Sequence, residues 1–319
     1  MEFRNLGRTG LKVSSICLGT MAFGRWIDEE SSARVLDAAI EAGINFIDTA
    51  DVYGQGMDTG NPAAKGQSEE ILGRLLGARR RSVVLATKVR GRMGSGPNDE
   101  GLSRRHIMLA VENSLRRLRT DHIDLYQCHS FDPLTPLDET LRALDDLVRQ
   151  GKVRYIGCSN FAAWQIAKAH GISDRLGLER FVSVQPQYSL LVRKIEAELL
   201  PFCESEGVGA IVYSPLARGV LTGKYQPGAP MPEGSRGAAG EQNLHKLLTD
   251  ENFAKVDRFK ALCQEWGLSM AQAATAWVLS HSAVTSAIVG ASRPEQIPDA
   301  VAGAGLQLTP SQKAALDAL

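Results

Sequence analysis

The chain has 319 residues, 44% hydrophobic and 23% charged, a globular composition long enough to bury a large core without disulfides or structural metals. Its 36 Lys and Arg balance 36 Asp and Glu, which excludes a global basic field for nucleic acid and makes any anion site local. Five cysteines (Cys17, Cys128, Cys158, Cys203 and Cys263) without CxxC spacing argue against a disulfide framework and against zinc, and no stretch reaches the ~18 apolar residues of a membrane span.

Met1 to Leu11 is polar and lacks the apolar run of a signal peptide, so a cytoplasmic protein with reduced thiols is expected. The start reads as a small hairpin, Glu2 to Asn5 and Leu11 to Ser14, turning through Gly7 and Thr9-Gly10. Eight short apolar runs follow as strand candidates: Ser15–Leu18, Asn45–Asp48, Val83–Lys88, Ile123–Cys128, Val153–Cys158, Phe181–Gln185, Ala210–Ser214 and Thr285–Val289. Helical patterns separate them. Asp28-Glu29-Glu30 opens one, with Leu36, Ala39 and Ile40 on its apolar face and Gly43 as its stop. Ser103 caps a second, with Ile107, Val111, Leu115 and Leu118 at helical spacing; Thr135-Pro136 opens a third, with Leu137, Leu141, Leu144 and Val148. Strands that alternate with helices and lack tight hairpins imply a parallel sheet, and eight repeats imply a closed (β/α)₈ TIM barrel, one α/β domain over residues 1–319. The alternative, an open doubly wound sheet, would carry GxGxxG after its first strand, and no such sequence occurs. Gly219 to Lys224 has the wrong spacing for a phosphate loop, and Tyr225 stands where Ser or Thr is needed. Two long segments without a pattern, Gly54 to Gln67 and Pro215 to about Leu248, are candidates for functional loops.

A barrel of this kind builds its site where the C-terminal ends of the strands meet. Asp48 ends the second barrel strand, Tyr53 lies five residues on, Lys88 ends the third strand and His129 follows the fourth. Each alone is more often a loop ion pair, a satisfied histidine or a packing residue; four on one rim in consecutive units is a pattern. A phenol of pKa about 10 is a poor donor at neutral pH. A lysine cation at ~4 Å supplies about 4 kcal/mol at an effective dielectric of ~20, enough to lower it by ~2–3 units. Lys88 is therefore expected to acidify Tyr53, with Asp48 keeping the lysine charged and His129 holding a substrate oxygen. Protonating a carbonyl oxygen is half of a reduction. The other half is hydride, which no side chain provides, so a nicotinamide is implied.

GINFIDTADVYG (Gly43–Gly54), ATK (Ala86–Lys88), DHIDLYQCH (Asp121–His129), IGCSNF (Ile156–Phe161), VQPQYS (Val184–Ser189), YSPLARGVLTGKY (Tyr213–Tyr225) and GASRPEQI (Gly290–Ile297) occur in one order. With RNLGRTGLKVS from Arg4, they resemble the aldo-keto reductase superfamily over nearly the whole chain, near its potassium-channel β-subunit-like branch. The resemblance implies a catalytic tetrad of Asp48, Tyr53, Lys88 and His129. It implies that Ser159, Asn160 and Gln185 hold the nicotinamide carboxamide and that Tyr213 stacks on the ring. Gly19 and Thr20 would approach the cofactor from the first barrel strand. Ser214, Leu216, Gly219, Leu221, Lys224 and Arg236 would wrap the pyrophosphate, making the long loop after the seventh strand a cofactor cover. Gly290, Ser292 and Arg293 open the last barrel helix, where an arginine fork suits a 2′-phosphate and favours NADPH over NADH. A plain Ser292–Glu295 capping box is the structural alternative. By the same resemblance Gln296 and Asp299 would face the adenosine end, where Asp299-Ala300 replaces the Glu-Asn of many members.

Met21, Phe23, Trp26 and Met93, with parts of residues 54–67, are expected to wall the pocket of a small-molecule carbonyl or alcohol substrate, and their apolar and aromatic side chains suggest an aromatic or bulky, apolar-faced carbonyl. No nucleic acid, membrane or metal enters this reading, and monomer and oligomer are both compatible with it. An NADPH-sensing regulatory subunit is the alternative, since channel β subunits share the motifs; those commonly carry asparagine where this chain has His129. A sugar isomerase or lyase on the same barrel would instead work without nicotinamide.

Overall fold

The structure is a computed structural model that describes residues 1–241 and 243–319. Strands β1 (Phe3–Asn5) and β2 (Lys12–Ser14) form the expected hairpin, in register Phe3↔Ser14. Its Leu6 and Val13 are fully buried against Cys17, Phe46, Val84, Leu125 and Ile211. The hairpin thus plugs the end of the barrel opposite the site. Gly7, at φ 55°, sits so tightly on the Val182 and Gly207 carbonyls that a Cβ would collide with them.

Eight parallel strands close the barrel: β3 (Ile16–Gly19), β4 (Phe46–Asp48), β5 (Val84–Val89), β6 (Ile123–Cys128), β7 (Val153–Ser159), β8 (Ser183–Gln185), β9 (Gly209–Tyr213) and β10 (Val284–Gly290), with β10 paired to β3. All eight coincide with the predicted runs. The sixth is shorter at its start, because Phe181 turns outward to pack edge-on against Phe161, centroids 5.8 Å apart. Helices α1 (Glu29–Glu41), α2 (Gly56–Thr59), α3 (Gln67–Leu76), α4 (Arg104–Leu118), α5 (Leu137–Arg149), α6 (Ala163–Leu176), α7 (Leu199–Glu206), α8 (Asp250–Trp266), α9 (Met270–Leu279), α10 (Gln296–Gly305) and α11 (Pro310–Asp317) complete the chain. Asp28 caps α1 by accepting from Ser31 N–H, and Ser103 caps α4 by accepting from His106 N–H, as their sequences suggest.

At α10 the alternative Ser292–Glu295 capping box does not form. Gln296 folds back instead, its side-chain oxygen accepting from the N–H groups of Ser292 (2.8 Å) and Arg293 (3.1 Å). Gln296 does the work expected of Glu295 because the helix begins one residue later. The segment Gly54 to Gln67 holds α2 and a 3₁₀ turn at Pro62–Ala64; the segment after β9 holds 3₁₀ turns at Ala217–Thr222 and His245–Leu247. No helix among the described residues is long and apolar enough to cross a membrane.

Strand parity positions the site. Side chains alternate between lumen and outer layer. On β4, Phe46 lies in the lumen cluster and Ile47 in the outer core, so Asp48 returns to the lumen at the mouth. On β5, Val84 and Ala86 lead inward to Lys88, while Leu85 and Val89 face out. On β6, Leu125 leads to Gln127 by the same count.

Candidate active site

Lys88 is wholly buried and forms an ion pair with Asp48. Its Nζ also donates to the Thr49 carbonyl (2.9 Å) and lies 3.4 Å from the Tyr53 hydroxyl. Asp48 is 2% exposed, yet both its oxygens are served: Lys88 donates to one, and Gln127 Nε2 (3.1 Å) and Gln185 Nε2 (2.9 Å) donate to the other. A buried ion pair is tolerable when its remaining lone pairs and protons are satisfied, as here. Burial alone would lower the Lys88 ammonium, but the attraction of Asp48 and Tyr53 outweighs it and holds the group above its ordinary value. It is therefore a permanent cation.

Tyr53 differs from the sequence expectation. Burial at the cleft floor pushes the phenol up from its ordinary value, and Lys88 opposes that without overcoming it, while Asp48 adds to the rise. Charge alone pointed to an acidified phenol; the cost of desolvating a phenolate reverses the sign in the free protein. Tyr53 is thus a neutral O–H with a cation ready for its conjugate base. His129 stands across from it, ring centroids 5.9 Å apart and nearly perpendicular. Burial, with Lys88 and Arg90 beside it, pulls the imidazole down to about 3, so it is neutral. The His129 N–H of the main chain donates to Val89 (2.9 Å), fixing the loop after β6 to the end of β5.

The residues expected around a nicotinamide are linked to one another. Ser159 Oγ donates to the Gln185 carbonyl (2.8 Å), Asn160 Nδ2 to the His129 carbonyl (3.0 Å), and Tyr213 Oη to Asn160 Oδ1 (3.0 Å). Asn160 and Ser214 lie in the left-handed region, at φ 56° and 58°, where their strands turn sharply off the rim. Thr20 is fully buried, its hydroxyl on the Asp48 carbonyl (3.1 Å) and beside Ser68 Oγ (2.9 Å). Gly19 leaves no room for a side chain, since a Cβ would lie 2.6 Å from Ile288 Cγ2.

Beyond β9 the cover loop gathers cations. A Cβ on Gly290 would lie 2.9 Å from Arg236 Nη2, and one on Gly219 would lie 2.8 Å from Lys224 Cε. Burial, then the neighbouring Arg236 and Arg293, lowers the Lys224 ammonium. Arg236 is pulled down to about 10 by burial and then by Arg218. Three cations that repel one another, beside glycines that keep the backbone open, fit a polyanion such as a dinucleotide's phosphates. Leu216 is half-buried and Leu221 buried in the core, so Leu221 has only its backbone to offer a ligand. Gln296 already serves the Ser292 and Arg293 N–H groups, and Asp299 accepts from Gln272 Nε2 (3.0 Å).

Of the expected pocket wall, Met21 and Trp26 are half-buried at the mouth, and Arg25 and Arg236 stack over the Trp26 ring at 4.3 and 5.4 Å. Phe23 is not a wall residue: it is wholly buried in the outer core with Leu36 and Ile71. Met93 lines a separate cavity of about 420 Å³ with Asp51, His106 and Arg117. Sequence reasoning missed Gln127, which strand parity alone would have found. It also missed Arg90, and the Arg218–Glu241 ion pair that fastens the cover loop, whose partners are 23 residues apart in loops.

Residues 15–319 match the sequence model of the Aldo/keto reductase family. The chain is 41% identical over 316 residues to the Uncharacterized oxidoreductase YrpG of Bacillus subtilis, spanning 97% of this chain and 92% of that protein. It is also 41% identical to a Probable voltage-gated potassium channel subunit beta of Arabidopsis thaliana (94% of this chain, 90% of that one). A third relative, the Versiconal hemiacetal acetate reductase of Aspergillus parasiticus, is 38% identical, with 98% of this chain and 95% of that protein covered.

Proposed function

The chain belongs to the Aldo/keto reductase family, and from that membership we propose that it is an NADPH-dependent reductase of aldehyde or ketone carbonyls, working reversibly. The observation that carries this reading is the Lys88 ammonium held between the Asp48 carboxylate and the Tyr53 hydroxyl, with neutral His129 facing the same phenol. A bound nicotinamide supplies the hydride that adds to the carbonyl carbon. Tyr53 donates its proton to the carbonyl oxygen as negative charge grows there. Lys88 stabilises the phenolate left behind, and Asp48 keeps Lys88 charged. Neutral His129 has a ring N–H to donate to the same oxygen, which holds it near Tyr53. A phenol above its ordinary value stays protonated at neutral pH, which a donor requires.

Ser159, Asn160 and Gln185 would hold the carboxamide and Tyr213 would pack on the ring; Gly19 and Thr20 would approach the cofactor from the end of β3, and Ser214, Leu216, Gly219, Leu221 (through its backbone), Lys224 and Arg236 would wrap the pyrophosphate. Gly290, Ser292, Arg293, Gln296 and Asp299 would take the adenosine end, with Arg293 giving the preference for a 2′-phosphate. The likeness to channel β subunits supports a second reading, an NADPH-sensing regulatory subunit. Oxidation of NADPH in the presence of 4-nitrobenzaldehyde separates the two. Wild type turns over, and Tyr53→Phe loses most turnover while keeping NADPH affinity. Tight NADPH binding with no turnover on a panel of aldehydes, ketones and sugars would favour the sensor. Undiminished turnover in Tyr53→Phe would remove the phenol from its role.

A further inference from the structure

Directly after β5 the backbone turns through Arg90 at φ 136°, a value that residues bearing a Cβ rarely adopt. Neighbours pin it there. Gly101 N–H donates to the Arg90 carbonyl at 2.9 Å. Gly91 lies so close to Val52, the residue before Tyr53, that a Cβ would collide with the Val52 side chain. Backbone strain that its surroundings enforce concentrates at ligand-holding positions.

The side chain gives an independent sign. Arg90 Nε is sealed from solvent and has no acceptor, although buried N–H groups are nearly always paired. Several cations around the mouth have an acid: Lys88 has Asp48, Arg25 has Asp58, Arg92 has Glu100, and Arg218 and Arg236 share Glu241, whereas Lys224 and Arg293 are assigned to the cofactor phosphates. Arg90 has none among the described residues. Asp132 lies close enough to feel its charge, but its oxygens already accept from the Leu102 and Leu134 N–H groups and the Thr135 hydroxyl. The main-chain N–H of His129 donates to the Val89 carbonyl (2.9 Å), which sets Arg90, the next residue, beside the His129 loop, and the Arg90 charge acts with burial and Lys88 to lower the imidazole. Two strands, β3 and β4, separate β5 from β10, after which Arg293 stands, so Arg90 lies apart from the cations assigned to the cofactor phosphates.

We propose that Arg90 is a substrate-binding residue, and that the preferred substrates are carbonyl compounds carrying a carboxylate a few bonds from the reacting carbon. The inference rests on the carbonyl-reductase reading above. With the carbonyl oxygen between Tyr53 and His129, Arg90 on the neighbouring loop offers the two Nη groups of its fork, Nε being sealed, to a carboxylate on the same molecule.

The test compares kcat/KM for 4-carboxybenzaldehyde and its neutral relative methyl 4-formylbenzoate, with NADPH. Wild type prefers the carboxylate at least tenfold, chiefly through KM. Arg90→Met brings the ratio to one or below, and benzoate no longer competes with the aldehyde. Arg90→Gly gives the same ratio; glycine adopts φ 136° freely, so this variant folds without the strain. A wild-type preference for the ester, or a ratio unchanged in both variants, overturns the role of Arg90. Reduction of neither aldehyde would instead count against the carbonyl-reductase reading itself.

Discussion

Replacing Lys88 with methionine and Asp48 with asparagine together removes the buried ion pair without stranding either charge. The Lys88 nitrogen lies 3.4 Å from the Tyr53 oxygen. At an effective dielectric of ~20, a charge at that distance stabilises a phenolate by about 5 kcal/mol. If half of this is expressed in the transition state for proton transfer, the reduction rate falls about 10²-fold; if all of it is, the fall is between ~10³ and ~10⁴. Fold stability moves the other way or not at all, because a buried ion pair exchanged for neutral groups of similar shape is commonly neutral or stabilising by about 1–4 kcal/mol. Urea unfolding of the double variant therefore gives a midpoint at or above wild type, while kcat/KM for 4-nitrobenzaldehyde drops and NADPH quenching of tryptophan fluorescence persists. A loss below tenfold in a folded, cofactor-binding variant would refute the claim that the ammonium supports the proton donor.

His129 makes stability depend on pH. Its folded value of about 3 lies below the ordinary ~6.5, so between these limits the unfolded chain binds a proton that the folded chain does not, and stability falls as pH drops. From pH 6.5 to 5 this costs about 2 kcal/mol. Urea unfolding at both values should find a smaller loss in His129→Gln than in wild type, and equal losses would contradict a buried neutral imidazole. Arg293→Ala should weaken NADPH binding at least tenfold while changing NADH little; matching losses, read by fluorescence titration, would remove the 2′-phosphate contact.

Much of this site was legible because strands impose a period of two. Asp48 and Lys88 are polar residues at the lumen positions where apolar runs end, and the five-residue step from Asp48 to Tyr53 sets the phenol on the loop directly above them. Gln127 obeys the same count and went unread because a neutral amide draws less notice than a charge. Tyr53 was read with the wrong sign because charges can be counted in a sequence, whereas desolvation depends on what the fold packs around a group. Phe23 was assigned to the pocket because an aromatic in a loop after a strand looks the same whether it turns to the cleft or to the core. Arg90, Arg218 and Glu241 depend on loop paths, φ values and partners far apart in the chain, which no local pattern encodes.

Asp48 is tied at once to Lys88 on β5, Gln127 on β6 and Gln185 on β8. One carboxylate therefore acts as a keystone across the lumen, bracing four staves of the barrel from a single point. Breathing that parts β4 from β8 must break an amide-to-carboxylate bond out of reach of water. The surrounding loops can thus be lengthened, shortened or exchanged without loosening the floor on which the proton donor's cation stands, and a loop graft offers new specificity with the chemistry intact.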